Sequence, residues 1–107
     1  MSTPSIGDLA RVPVIYNVTM TLADTEYSQV LPYQCRKYTI HTRDESAFRL
    51  AFVTGIVATP TAPWFTVLAN TRMWEDGVIN EYPAASLLTL YFASASADKI
   101  IEIIAWT

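Results

Sequence analysis

Nucleophilic catalysis or a transition-metal site would have to use histidine or cysteine, and the chain has one of each, His41 and Cys35. A Cys–His dyad needs the two side chains within hydrogen-bond reach. On one extended strand, at about 3.3 Å per residue, these two residues would stand about 20 Å apart. No serine lies in the G-x-S-x-G context of a nucleophile elbow. The sequence therefore predicts no catalytic residue and no metal site, and a small jelly-roll enzyme built around His41 is the third and last hypothesis.

Acidic residues and glycines offer no stronger sign of a cofactor site. The acidic pairs lie at predicted turns, where carboxylates cap backbone groups and stay hydrated: Asp24 with Glu26, Asp44-Glu45 and Glu75-Asp76. No loop has the D-x-D-x-D-G spacing of a calcium site. The three glycines are isolated in the sequence, so there is no glycine-rich phosphate loop. We expect no cofactor.

Three exposed-looking aromatic residues could stack on a sugar ring: Trp64, Trp74 and Tyr82. Large rings also contribute most of the burial in sandwich cores and subunit interfaces. The sequence favours the packing role, and a carbohydrate-binding module is kept as the second hypothesis.

Composition favours a small domain with extensive buried surface. The chain has 107 residues, of which 51% are hydrophobic and 16% charged, against about 25% charged in an ordinary soluble domain. The net charge of −3 argues against a nucleic-acid partner. No apolar run approaches the roughly 18 residues of a membrane span, and Met1–Pro13 lacks the features of a secretory signal. We expect neither nucleic acid nor membrane as a partner.

Short strands of period two, separated by turn residues about every eight to twelve positions, predict an all-β fold. We expect one antiparallel β-sandwich, jelly-roll-like, with about seven to nine short strands over residues 14–107, preceded by an irregular arm over residues 1–13. Two hairpins are predicted. One joins Cys35–Arg43 to the strand that begins at Phe48, and the other joins Leu87–Ala93 to Ile100–Thr107.

The closing pair of strands is apolar on both faces. Leu88, Leu90 and Phe92 point opposite to Tyr91, and Ile101 and Ile103 point opposite to their neighbours. Strands of this kind require cover on both sides, and a chain of this length has little left to wrap around its core. We therefore expect the second face to meet another subunit. The predicted interface residues are Leu88, Leu90, Phe92, Ile101, Ile103 and Trp106.

From Leu31 onward, several short segments follow one another in a recurring order. A strand carrying I-x-T-R is followed by an R-L-A strand, a strand resembling T-L-Y-F-A-S, and a closing strand with E-I and a tryptophan. The segments are Leu31–Tyr33, Tyr38–Arg43, Phe48–Phe52, Trp64–Leu68, Leu90–Ser94 and Ile101–Trp106. This layout resembles that of small virion proteins of tailed bacteriophages. Asn70 stands where such proteins commonly have a glycine, and asparagine tolerates the positive φ that the turn requires.

The resemblance implies a compact β-sandwich, often trimeric, that decorates or cements a capsid or serves as a fibre or tail accessory. The first hypothesis is therefore a non-enzymatic capsid cement or decoration protein of a phage particle, assembled in the host cytoplasm. Its expected partners are further copies of the chain, with a homotrimer favoured, and the major capsid protein or another virion protein. The alternative is a carbohydrate-binding or host-recognition module of a tail or head fibre.

Overall fold

The computed structural model describes residues 12–59, 63–71, 73–76 and 87–107, the residues 73–76 by their backbone alone. These residues form eight β-strands: β1 (Val14–Met20), β2 (Tyr27–Val30), β3 (Lys37–Thr42), β4 (Phe48–Ala51), β5 (Phe65–Val67), β6 (Met73–Asp76), β7 (Thr89–Ala93) and β8 (Lys99–Trp106). None of the described residues belongs to a helix long and apolar enough to cross a membrane.

The strands form two four-stranded antiparallel sheets. Sheet A has the order β1-β8-β3-β6, and sheet B has the order β2-β7-β4-β5. The pairing is nested, because the first strand pairs with the last, the second with the seventh, the third with the sixth and the fourth with the fifth. The prediction of an all-β, antiparallel sandwich in a single domain is confirmed.

Both predicted hairpins are wrong. β3 lies in sheet A and β4 in sheet B, and the same separation holds for β8 and β7. The short connections therefore cross from one sheet to the other. Residues 94–98 are long enough to do so, since packed sheets lie about 10 Å apart and an extended residue spans about 3.3 Å.

The core lies between the sheets and is filled by the alternate residues that the sequence pattern predicted. β3 contributes Tyr38 and Ile40, and β4 contributes Leu50, all with no exposed surface. The same central cluster contains Met20, Leu31, Cys35, Phe48, Val67, Leu90, Phe92, Ile101, Ile103 and Ala105. Because both sheets point one face inward, the period-two pattern decides which half of each strand is buried.

Part of the outer face of sheet B is covered by the chain's own segment 52–59. Val57 of this segment has no exposed surface and forms a second apolar cluster with Ala51 and Ala93, against which Tyr91 packs. The Nε of Arg49 donates a 2.7 Å hydrogen bond to the carbonyl of Val57. The chain itself therefore covers part of the outward side of β7, where a second subunit was expected.

Two hydrogen bonds to the carboxylate of Glu26 link segment 52–59 to the β1–β2 connection. The carboxylate accepts hydrogen bonds from the Thr54 hydroxyl at 2.6 Å and from the Gly55 backbone N–H at 2.8 Å. Gly55 has a φ of 87°, which favours glycine because it has no Cβ. Thr54 and Gly55 therefore bend the chain at this position.

Asn70 occupies a left-handed turn, as its position in the sequence predicted. Its φ is 63°, and its N–H donates a 2.8 Å hydrogen bond to the Glu45 carbonyl. The acidic pair Glu75-Asp76, predicted at a turn, forms the end of β6 instead. Most of the predicted arm Met1–Pro13 lies outside the described residues. β1 begins at Val14, directly after that arm.

Candidate interaction surface

Four of the six predicted interface residues lie in the core. Leu90, Phe92, Ile101 and Ile103 have no exposed surface within one chain, so they have nothing to offer a partner and are corrected to core residues. Leu88 is half-buried and packs against the same cluster. The sequence pattern predicted that these side chains share one face of each strand, and the sheet that packs against that face belongs to the same chain.

The side chains of sheet A that point away from the core form a separate surface. Strand register places Ile15 beside Ile104, and Ile104 beside Thr39. We call this surface the outer face of sheet A; its described members are Ile15, Asn17, Thr19, Lys37, Thr39, His41, Ile100, Glu102, Ile104 and Trp106. Ile15 is 63% exposed, and Ile100, Ile104 and Trp106 are half-buried. The apolar members therefore lie around a polar centre.

The polar centre is an ion-pair network on Glu102. Its Oε2 accepts a 2.6 Å bond from the Nε of Arg43, and its Oε1 lies 3.0 Å from the Nε2 of His41. The hydrogen bond from Arg43 lowers the pKa of Glu102, partial burial opposes this, and the charges of Arg43 and His41 add to the lowering. All three side chains retain some solvent exposure, so the network is a hydrated feature of the surface.

Two further contacts border this surface. Lys99 donates a 2.6 Å bond to the carboxylate of Asp44, and this bond together with those from Ser46 lowers the pKa of Asp44 to about 2. The ammonium of Lys37 lies 4.9 Å from the ring centroid of Trp106, within the range of a cation–π contact. Trp106 was predicted as an interface residue. Of the six predicted interface residues, it is the one whose side chain points outward and stays partly exposed.

Cys35 and His41, the two residues that could have supplied nucleophilic chemistry, lie in different environments. Cys35 is buried, its thiol lies 3.4 Å from the Lys37 carbonyl, and burial raises its pKa. A buried, protonated thiol is a weak nucleophile. His41 instead contacts Glu102 on the outer face of sheet A. Within the described residues, no group of three or more His, Cys, Asp or Glu side chains could hold a metal ion.

The predicted sugar-stacking residues are only partly described. Trp64 is 41% exposed, and its indole N–H donates a 3.2 Å hydrogen bond to the hydroxyl of Thr66. Phe65, the next residue, is 54% exposed. The backbone of Trp74 pairs with Thr39, while the side chain of Trp74 and all of Tyr82 lie outside the described residues. The structure thus describes one exposed indole at the edge of sheet B.

Sequence reasoning placed Trp106 at an interface but missed the isoleucines that lie on the outer face of sheet A. The alternation of side chains along β1 puts Ile15 on the outward face with Asn17. Glu102 and Arg43 are 59 residues apart in the chain, and only the pairing of β3 with β8 brings them together. No local signal could have revealed that network.

Comparison of the chain with protein-family models, with curated proteins and with solved structures finds no match.

Proposed function

We propose that the chain is a non-enzymatic structural protein that works by burying apolar surface against other subunits, with the outer face of sheet A as its contact surface. The observation that carries the proposal is the exposure of Ile15, 63%, directly beside the half-buried Ile104 on neighbouring strands. Apolar side chains that stay exposed on a sheet face are typical of protein–protein contact sites. Here they lie around the Glu102 network, which adds polar groups to the centre of the surface.

We further infer that the sandwich is a jelly roll. The nested pairing of β1 with β8, β2 with β7, β3 with β6 and β4 with β5 supports this assignment. Jelly rolls are frequent in viral capsid and lectin domains. That frequency is an argument by analogy, because one fold hosts many functions.

The sequence resemblance to small phage virion proteins supports a more specific form of the proposal. In that form the chain is a capsid cement or decoration protein, a homotrimer that binds the major capsid protein or another virion protein. Its place of action is the virion, assembled in the host cytoplasm. Mass spectrometry of purified particles from the source of the chain should then detect it in constant proportion to the capsid protein; its absence from the particles would refute the virion role.

Light scattering on the purified chain tests the general proposal. We expect a mass that is a multiple of the 12.0 kDa monomer at micromolar concentration, and a lower mass for Ile104→Lys. The matched control is Leu68→Lys, because Leu68 is 65% exposed and follows β5 at the edge of sheet B. A monomer at all concentrations, or equal effects of the two lysines in variants with native circular dichroism, would contradict the proposal.

A second candidate function is carbohydrate binding, which the exposed Trp64 favours. Indole faces stack on sugar rings, so a single exposed tryptophan can contribute to a carbohydrate site. A glycan array tests this candidate, with Trp64→Ala as the variant that should lose any binding. The control Leu68→Ala removes a similarly exposed apolar side chain nearby and should retain it. An array without hits would exclude the candidate.

A further inference from the structure

β1 forms one border of sheet A. It pairs with β8 over all seven of its residues, and no described strand pairs with its opposite edge. A free edge presents a row of backbone N–H and C=O groups that can bind another strand. The side chains near its start add apolar surface, since Val12, Val14 and Ile15 are 83%, 39% and 63% exposed.

β1 also lacks the features that normally protect a sheet edge. Natural edges carry lysines, prolines, bulges or inward-pointing charges, or are very short. Residues 14–20 read V-I-Y-N-V-T-M and include no charged residue, proline or glycine. Their register with β8 is continuous from Val14 opposite Ala105 to Met20 opposite Lys99, without a bulge.

The other three border strands of the described sheets are better protected. β2 has four residues and is followed within two positions by Pro32. β5 has three residues. β6 has four residues, two of which are Glu75 and Asp76. β1 is therefore the longest of the four described border strands, and neither shortness nor charge protects it from pairing.

We propose that β1 pairs antiparallel with β1 of a second copy of the chain, about a two-fold axis at Asn17. This register places Asn17 opposite its own copy, Ile15 opposite Thr19, and Tyr16 opposite Val18. The seven-residue strand is self-complementary in this register, since no charges oppose each other and each side chain faces a neutral side chain of the same sheet face. A two-fold contact is isologous and needs this self-complementarity.

The pairing joins two copies of sheet A into one continuous sheet and extends the outer face of sheet A across the axis. A second copy fits the edge because it supplies a strand of equal length that is also uncharged, and the pairing places the apolar side chains of Tyr16 and Val18 opposite each other. Tyr16 and Val18 flank Asn17 on the inward side, as Ile15 and Thr19 do on the outward side. The inference rests on the proposed homo-oligomer: the contact forms a dimer by itself, or joins two trimers.

A cysteine at the axis tests the contact in the full-length chain. Directly opposed residues in an antiparallel pair have Cα atoms about 4.5–5.5 Å apart, a separation that a disulfide can bridge. We expect Asn17→Cys to form a reducible covalent dimer under mild oxidation. The matched control is Ser28→Cys, which puts a thiol at an exposed position of the other sheet's border strand β2, and the native Cys35 is buried.

A charge at the same position provides the second measurement. Asn17→Lys places two like charges opposite each other and should weaken self-association by about tenfold or more, while Ser28→Lys should not. If the protein is an oligomer in which Asn17→Cys crosslinks no better than Ser28→Cys, the β1 contact is wrong and the proposed oligomer survives. If wild type is a monomer throughout, both fall. Crosslinking of Asn17→Cys only to a different protein would overturn the second copy as the occupant.

Discussion

Replacing Ile103 by alanine separates a core role from an interface role for the closing strand. Ile103 and Ile104 are adjacent residues of one type on β8, but Ile103 has no exposed surface and Ile104 is half-buried on the opposite face. Truncating a fully buried isoleucine costs about 2–5 kcal/mol, because the cavity adds to the lost transfer free energy. Truncating Ile104 leaves no closed cavity, so we expect a loss of about 1 kcal/mol from partial burial.

The difference is large enough to measure by thermal or urea unfolding. For a domain of about 100 residues, 1 kcal/mol shifts the Tm by about 4–8 °C, so Ile103→Ala should lower it by more than about 10 °C. If Ile103→Ala does not fold, Ile103→Val should still cost about 0.5–1.5 kcal/mol. The loss at Ile103 should not depend on protein concentration, because the cavity lies within one chain. Equal losses at the two positions, or a loss at Ile103 that changes with concentration as a lost subunit contact would, would refute the assignment of Ile103 to the core.

Three further predictions concern single groups. Because the folded pKa of Asp44 is about 2 and its ordinary value 3.8, its ion pair stabilises the fold above pH 3.8, and that stability is lost as the pH falls towards 2. Asp44→Asn should therefore lower the free energy of unfolding near neutral pH and flatten its fall between those two values, and an unchanged acid limb would contradict this. Gly55→Ala should cost about 1 kcal/mol in urea unfolding through its φ of 87° alone, since an added Cβ meets nothing within 4 Å; a neutral result would show that the segment adjusts. Cys35 is buried with a raised pKa, so iodoacetamide should label it only at the rate of unfolding, and rapid labelling of folded protein would contradict its position in the core.

The period of the sequence predicted the strands and which side chains of a strand share a face, because alternation is local. It did not say which of the two faces is buried: Ile101 and Ile103, predicted at an interface, point inward, and Ile100 and Ile104 point outward. Alternation does not determine which strands pair with each other, however. A short polar connection such as residues 94–98 can close a hairpin or cross between sheets, and the two choices produce the same burial pattern. The assignment of both hairpins failed for that reason.

The packing of segment 52–59 against sheet B could not be predicted from the sequence either. Val57 lies in a segment of bends and turns without periodicity, so its burial depends on side-chain anchors from distant parts of the chain. Arg49 bonds its carbonyl, and Glu26 bonds the Thr54-Gly55 bend. Such anchors are individually weak signals in a sequence, since a surface arginine and a turn glutamate usually need no partner. The ion-pair network at Glu102 could not be predicted for the same reason.

These corrections move the proposed contact surface from the end of the chain to its first strand. The apolar character of β7 on both faces is explained by the core on one side and by Val57 on the other. β8 retains half-buried apolar side chains on its outward face, but it is an inner strand whose backbone pairs with β1 and β3. β1 combines exposed apolar side chains with a backbone edge that pairs with no described strand. Side-chain burial and backbone pairing both contribute to strand association. We therefore expect an additional subunit to bind most strongly at the edge of β1 together with the outer face of sheet A.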